Sequence, residues 1–295
     1  MTTVAFIGLG IMGMPMATNL LEAGFDVVGH NRSQPKVDAF VAKGGRGASR
    51  LEDAVAGADI VMTNLPDSPD VEAVVLGDGG VLAHAAEGTL LIDFSTIRPD
   101  TATTVHAAGR EKGVLALDAP VSGGEQGAID GTLAIMVGGD EDAFADAQPA
   151  FDAVGKTVVR VGPAGSGQTV KAANQLLVAG ALELVAESIV FLEAYGVDTE
   201  AAMRVLAGGR ARNAVLERES ERILRRDFTP GFRVELHHKD LGIMQAAARE
   251  AGVVVPMGAV VTQLVASLQA QGLGHLDSAV LLRLVEDLSG RGTHT

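Results

Sequence analysis

The opening of this chain constrains its architecture more than any other segment. Val4-Ala5-Phe6-Ile7 is an apolar run of strand length, and Gly8-Leu9-Gly10-Ile11-Met12-Gly13 follows directly as G-x-G-x-x-G leading into a helical stretch. In such a βα unit Gly8 permits the tight turn, Gly10 lets the backbone approach a pyrophosphate, and Gly13 allows helix and strand to pack closely. The N–H groups and dipole at the helix start favour an anion there. The motif alone is also what a space-saving turn looks like. Its place in the first βα unit, with a second strand at the right distance, makes it a dinucleotide loop with Gly8, Leu9, Gly10, Ile11, Met12 and Gly13 as cofactor contacts.

Two textures divide the rest. Up to about residue 162, strand-like runs (4–7, 26–30, 59–64, 90–94, 114–119, 133–137 and 158–161) alternate with helical stretches such as 12–23, 35–42 and 103–112. That alternation predicts a parallel sheet covered on both faces. Beyond Gly162 the strand signals stop. From Gln168 to about Tyr195 the chain has no Pro and only Gly180 among glycines, which predicts a helix of ~42 Å at the α-helical rise. The remainder reads as helices separated by Gly208-Gly209, Pro230-Gly231, Gly252 and Gly272. The expected fold class is therefore an α/β Rossmann-type N-terminal domain (1–162) plus an all-α C-terminal domain (163–295), joined by a long interdomain helix.

At 295 residues with 47% hydrophobic and 20% charged side chains, the chain is long enough for about two cores. The net charge of −14 sets an acidic surface against phosphate backbones and anionic lipid, so nucleic acid and membrane are not the expected partners. With no cysteine, disulfides, thiolate metal sites and Cys nucleophiles are excluded. Met1-Thr2-Thr3 leads straight into the first strand without a basic, cleavable leader, and the most apolar stretch carries Glu183 and Glu187. The expectation is a soluble, cytoplasmic protein.

Cofactor choice falls to the end of the second strand. An NAD site places an acid there for the ribose 2′-hydroxyl. This chain has Asn31-Arg32-Ser33 instead, and Asp26 stands at the strand's beginning, far from that end. Arg32 offers a planar fork of donors to a 2′-phosphate, so Asn31, Arg32 and Ser33 point to NADP, with NAD as the alternative.

Four blocks in order, Gly8–Leu21, Asp118–Gly139, Gly165–Gln175 and Phe228–Leu241, resemble the 3-hydroxyacid (β-hydroxyacid) dehydrogenase family over essentially the whole chain. Within it, Asn174-Gln175 and the Pro230–Leu236 run are most like the tartronate semialdehyde (2-hydroxy-3-oxopropionate) reductases. The resemblance implies a Rossmann-like domain, an all-helical domain used for dimerisation and a substrate cleft between the two. It also implies an oxidoreductase interconverting a short 3-hydroxy acid, D-glycerate first, and its semialdehyde. A homo-oligomer, dimer or tetramer, goes with it. The alternatives are a 3-hydroxyisobutyrate dehydrogenase, a succinic semialdehyde or imine reductase, and a non-catalytic NADP-binding assembly protein.

The resemblance assigns the acid/base role to Lys171, which suits the chemistry, because hydride addition to a carbonyl builds negative charge on oxygen and a positioned ammonium supplies both proton and field. Asn174 and Gln175 follow three and four residues later, on the same helical face. Asn174 is implied as an orienting catalytic residue. Gln175 departs from the Asn-Asn pair of many relatives and is a candidate substrate contact. Ser122, Gly123 and Gly124 follow a strand and Pro120; a hydroxyl with unobstructed peptide N–H groups suits a carboxylate, and the resemblance places the substrate's acid group there. Leu65, Pro66 and Thr96 end two further strands, where ligands of parallel sheets sit. Lys239 is implied near the nicotinamide, with Asp240 as its ion-pair partner.

Other features have plainer readings. His237 and His238 point ~100° apart on a helix and have no third ligand, so no metal is expected. Met12, Met14 and Met16 suit packing. Arg218, Arg222, Arg225 and Arg226, interleaved with Glu217, Glu219 and Glu221, read as a solvated helix with local ion pairs. Arg210 and Arg212 carry little weight as cleft residues.

Overall fold

The structure is a computed structural model, described over residues 1–292. Its strands are β1 (Thr3–Ile7), β2 (Asp26–His30), β3 (Arg46–Ala48), β4 (Ile60–Thr63), β5 (Leu90–Asp93), β6 (Leu115–Asp118), β7 (Val121–Ser122), β8 (Leu133–Gly138) and β9 (Gly155–Gly162). The longer helices are α1 (Gly13–Glu22), α2 (Gln34–Val41), α3 (Pro99–Glu111), α4 (Glu141–Val154), α5 (Ser166–Ala194), α6 (Thr199–Gly208), α7 (Val234–Glu250), α8 (Pro256–Ala270) and α9 (Leu281–Leu288). The chain divides into two compact units, residues 1–171 and 172–295, so α5 begins in the first and continues through the second.

The first unit is built on one sheet in the order β3-β2-β1-β4-β5-β6-β8-β7, with β9 on β8. β1 pairs in parallel with β2 and β4, and β4 with β5, in a register that aligns Ile7, His30, Thr63 and Asp93 at one edge. Alternation along β1 shows why both faces are covered. Val4 and Phe6 enter one apolar cluster, Ala5 and Ile7 the other, each wholly or nearly buried.

The sheet departs from the all-parallel expectation at its far side, where β8 runs antiparallel to β6 and β7. The connection there holds only a six-residue helix, Gly124–Ile129, about 9 Å long, too short to carry the chain back along the sheet. Two short strands, β3 and β7, gave no sequence signal. β3 reads Arg-Gly-Ala and β7 has two residues, so neither shows apolar alternation.

Among the described residues the second unit is built from helices, with one isolated bridge between Arg233 and Asp277. Ala179, Leu182, Val185, Ala186 and Ile189 of α5 join Leu241 and Met244 of α7 and Val261 and Val265 of α8 in its core. By length and apolar composition α5 would also pass for a membrane span. Its place in this core, with Glu183, Glu187 and Glu193 along it, makes it the core helix of the second unit.

The arginine-rich stretch keeps the expected exposed surface and local ion pairs, Arg222 with Glu219 among them, and adds long-range contacts. Arg225 does pair locally with Glu221. Arg222, however, reaches Asp277 at 2.8 Å and Arg226 reaches Glu286 at 2.6 Å, both carboxylates being buried. These guanidiniums pin the turn before α7 to the C-terminal segment, contacts no local pattern encodes.

Candidate active site

Within the first unit the glycine loop sits at the aligned strand ends. A methyl built on Gly8 would stand 2.2 Å from the Asn64 carbonyl oxygen, and one on Gly13 only 1.9 Å from that of Gly8. These two glycines are required by close backbone approach. Gly10 differs: a methyl there would meet nothing within 4 Å. No side chain caps α1 and its first turn has no acid, so the helix start offers its N–H groups to an outside anion. Open space over Gly10 beside an uncapped helix start fits a dinucleotide's pyrophosphate.

The neighbouring candidates divide by what they already hold. Leu9 is wholly buried, and its N–H donates to Asn31 Oδ1 at 3.1 Å. This bond ties the loop to the end of β2, so it occupies groups of both residues that were expected to face the cofactor. Met12 packs partly against the sheet core, leaving its backbone as the part available to a phosphate. Ile11 is exposed. Arg32 is 87% exposed and only loosely paired, 3.8 Å from Asp70 Oδ1, with Ser33 beside it at the start of α2. Asp26 pairs with Arg46 at 2.7 Å, away from the cofactor end of β2.

Residues the sequence did not single out stitch the ends of β4 and β5. Asp93 accepts from Thr63 Oγ1 at 2.7 Å and from the Ser95 N–H at 3.1 Å, and Ser95 Oγ in turn accepts from the Leu65 N–H at 2.8 Å. Burial pushes the Asp93 carboxyl above the usual carboxylate range against the lowering effect of these donors. The network fixes the turns that carry Leu65, Pro66 and Thr96.

Lys171 is 7% exposed, and its ammonium donates to the Val121 carbonyl at 2.8 Å, next to Ser122. Gly123 and Gly124 have φ values of +142° and +65°, which side-chain-bearing residues rarely adopt. The first turns of α5, from which Lys171 projects, are held from both sides. Asp118, at the end of β6, accepts from the Gly165 N–H at 2.7 Å and the Gln168 N–H at 3.0 Å. Gln168 is buried, donating to the Ser95 carbonyl at 2.8 Å and accepting from the Ile97 N–H at 3.1 Å. Burial raises the Asp118 carboxyl while its backbone donors lower it. Asp118 and Gln168 both lie in the conspicuous sequence blocks, but only these long-range bonds reveal their task.

In the second unit Asn174, Gln175, Asp240 and Lys239 form one chain of contacts. Asn174 Nδ2 donates to Gln175 Oε1 at 2.8 Å, Gln175 Nε2 donates to Asp240 Oδ2 at 2.6 Å, and Lys239 Nζ lies 2.9 Å from Asp240 Oδ1. His237 is wholly buried against Ser278 Oγ at 3.0 Å, a core histidine that braces α7. Arg212 pairs with Glu217 at the surface of this unit.

Residues 3–162 match the NAD binding domain of 6-phosphogluconate dehydrogenase, and residues 165–285 match the domain described as NAD-binding of NADP-dependent 3-hydroxyisobutyrate dehydrogenase. The chain is 41% identical, over 99% of its length and 100% of the relative's, to the NAD-dependent L-serine dehydrogenase of Pseudomonas aeruginosa. It belongs to the 3-hydroxyacid dehydrogenase family. A 2-hydroxy-3-oxopropionate reductase of Escherichia coli in that family is 38% identical, covering 96% of this chain and 97% of the reductase. The 3-hydroxyisobutyrate dehydrogenase of Mycobacterium tuberculosis, solved with L-serine, superposes with a TM-score of 0.88 at 35% identity, over 97% of this chain and 99% of that one. The protein is thus an NAD(P)-dependent 3-hydroxyacid dehydrogenase.

Proposed function

We propose that this dehydrogenase interconverts D-glycerate and tartronate semialdehyde with NADP(H). The observation that carries the reading is the buried Lys171 ammonium held at the Val121 carbonyl, one residue from the Ser122 loop. Reduced nicotinamide, when bound, supplies a hydride to the carbonyl carbon. Ser122 Oγ and the peptide N–H groups of Gly123 and Gly124 hold the substrate carboxylate. Lys171 Nζ gives its proton to the oxygen as negative charge develops there and takes it back in the oxidative direction. The Val121 carbonyl keeps that amine from swinging into solvent, so little reorganisation is needed at the moment of transfer.

On the cofactor side the Gly10 backbone and the start of α1 take the pyrophosphate, and Arg32 with Ser33 take the 2′-phosphate. Lys239 is placed on the cofactor in the same reading, with Asp240 fixing its ammonium. Gln175 after Asn174 favours D-glycerate, since the Escherichia coli 2-hydroxy-3-oxopropionate reductase is a 38% identical relative and that pair is the tartronate semialdehyde reductase-like feature of the chain. L-serine is the second reading, favoured by the 41% identity to a serine dehydrogenase. A panel of D-glycerate, L-serine, 3-hydroxyisobutyrate and succinic semialdehyde with each nicotinamide, followed by cofactor absorbance, separates them. D-glycerate with NADP should give the highest kcat/KM, and a higher value for any other pair refutes the assignment.

The domain boundary at residues 162/163 and a cytoplasmic location belong to the same reading, as does self-association. Leu177, Leu184 and Phe191 recur every seven residues along α5 and remain exposed, an apolar stripe suited to a second copy of the chain. Sedimentation equilibrium of the full chain should show a dimer or larger closed oligomer.

A further inference from the structure

A buried carboxylate in the second unit dictates which way two carboxamides face. Asp240 is 4% exposed, with Gln175 Nε2 on one oxygen at 2.6 Å and Lys239 Nζ on the other at 2.9 Å. An ionised carboxylate only accepts, so Gln175 must turn its NH2 towards Asp240 and its Oε1 the opposite way. There Oε1 meets Asn174 Nδ2 at 2.8 Å. One N–H of the Asn174 carboxamide is thereby given to Gln175, which fixes the amide's orientation. Its Oδ1 has no hydrogen-bond partner among the described residues, and Asn174 is only half-buried.

We propose that Asp240 is a positioning residue that, through Gln175, makes Asn174 offer an oxygen rather than an amine to the substrate. This rests on the reading of Lys171, one helical turn earlier on α5, as the proton donor. An offered acceptor recognises a donor. The relay therefore selects 3-hydroxy acids that carry a hydroxyl or an ammonium at C2, such as D-glycerate and L-serine, over those with a methyl there. A substrate without that donor leaves the Asn174 oxygen desolvated and unpaired, a loss on the order of tenfold or more in kcat/KM.

The test is a reversal of the relay. In Asp240→Asn the side chain at 240 can donate to Gln175 Oε1, which frees Gln175 and Asn174 to flip. KM for D-glycerate and L-serine should rise at least about tenfold relative to 3-hydroxyisobutyrate, with kcat less affected. Loss of the Lys239 partner affects every substrate alike and cancels in that ratio. Asn174→Asp sets a carboxylate against Gln175 Oε1 while Asp240 still holds the NH2, so both Tm and activity should fall. In the double variant Asn174→Asp/Asp240→Asn the chain of donors runs backwards, Asn to Gln to Asp, and an acceptor again faces outwards. Its Tm should exceed the sum of the single effects, and preference for C2 donors should return. Additive losses in Tm, or an unchanged preference in Asp240→Asn, overturn the proposal. If the wild-type protein oxidises none of the three acids, the functional reading fails by itself, while the Tm cycle still decides the relay.

Discussion

Lys171 Nζ donates to the carbonyl of Val121, a residue fifty positions earlier in the chain, at 2.8 Å. The bond takes the amine away from the solvent-facing course that a lysine near a helix start usually follows and sets it beside the Ser122 loop. Proton transfer needs a donor already in place, and a general acid held this way contributes about 10²–10⁴-fold to rate. Lys171→Ala should lower kcat by that factor while the dissociation constant for NADPH, read by fluorescence titration, stays within about threefold of wild type. Undiminished turnover would remove Lys171 from the chemistry.

The last two glycines of the loop, Gly10 and Gly13, should respond differently to one methyl group. Gly13→Ala puts carbon 1.9 Å from a backbone oxygen that cannot move cheaply, so thermal unfolding should show a loss of about 3 kcal/mol. Gly10→Ala meets open space and should leave Tm near wild type. Dinucleotide binding should nonetheless weaken tenfold or more, because the added methyl fills the space proposed for the pyrophosphate. Normal NADPH affinity in a folded Gly10→Ala protein would place the dinucleotide elsewhere.

Arg32 is 87% exposed, and its 3.8 Å contact with Asp70 is too long to occupy the guanidinium. A charge-assisted bond to a 2′-phosphate is worth about 2 kcal/mol. Arg32→Asp should raise KM for NADPH at least tenfold and change KM for NADH much less. Equal effects on both coenzymes would show that Arg32 does not read the 2′ position.

Glu183 lies in the core of α5, 5% exposed, with Oε2 lacking a partner among the described residues. Burial, helped by repulsion from Glu187, pushes its carboxyl up to about 7 from 4.5. The folded state therefore binds this proton more tightly than the unfolded chain does. Stability attached to the group is present below the unfolded value and lost as pH rises from about 4.5 to about 7. Glu183→Gln should raise stability at pH 8 by about 2 kcal/mol and change it little at pH 4, as read from urea unfolding at both. Equal effects at the two pH values would mean that the carboxyl titrates normally.

Local pattern specifies the elements and their order along the chain. Apolar runs of strand length, the glycine spacing at 8, 10 and 13, and the long stretch after Gly165 all encode local periods, so the parallel half of the sheet, the glycine turn and α5 follow from them. Strands of two or three residues carry too little pattern, which is why β3 and β7 surfaced only in three dimensions, as did the antiparallel turn of β8. Tertiary structure alone decided what each polar group holds. Asn31 serves the Leu9 N–H, Asp118 anchors the beginning of α5, and Arg222 and Arg226 reach the buried Asp277 and Glu286. Gln175 and Asp240 are 65 residues apart, and nothing in either neighbourhood specifies the other. Their pairing arises because packing α5 against α7 removes both from water, and a buried amide and a buried carboxylate must then satisfy each other.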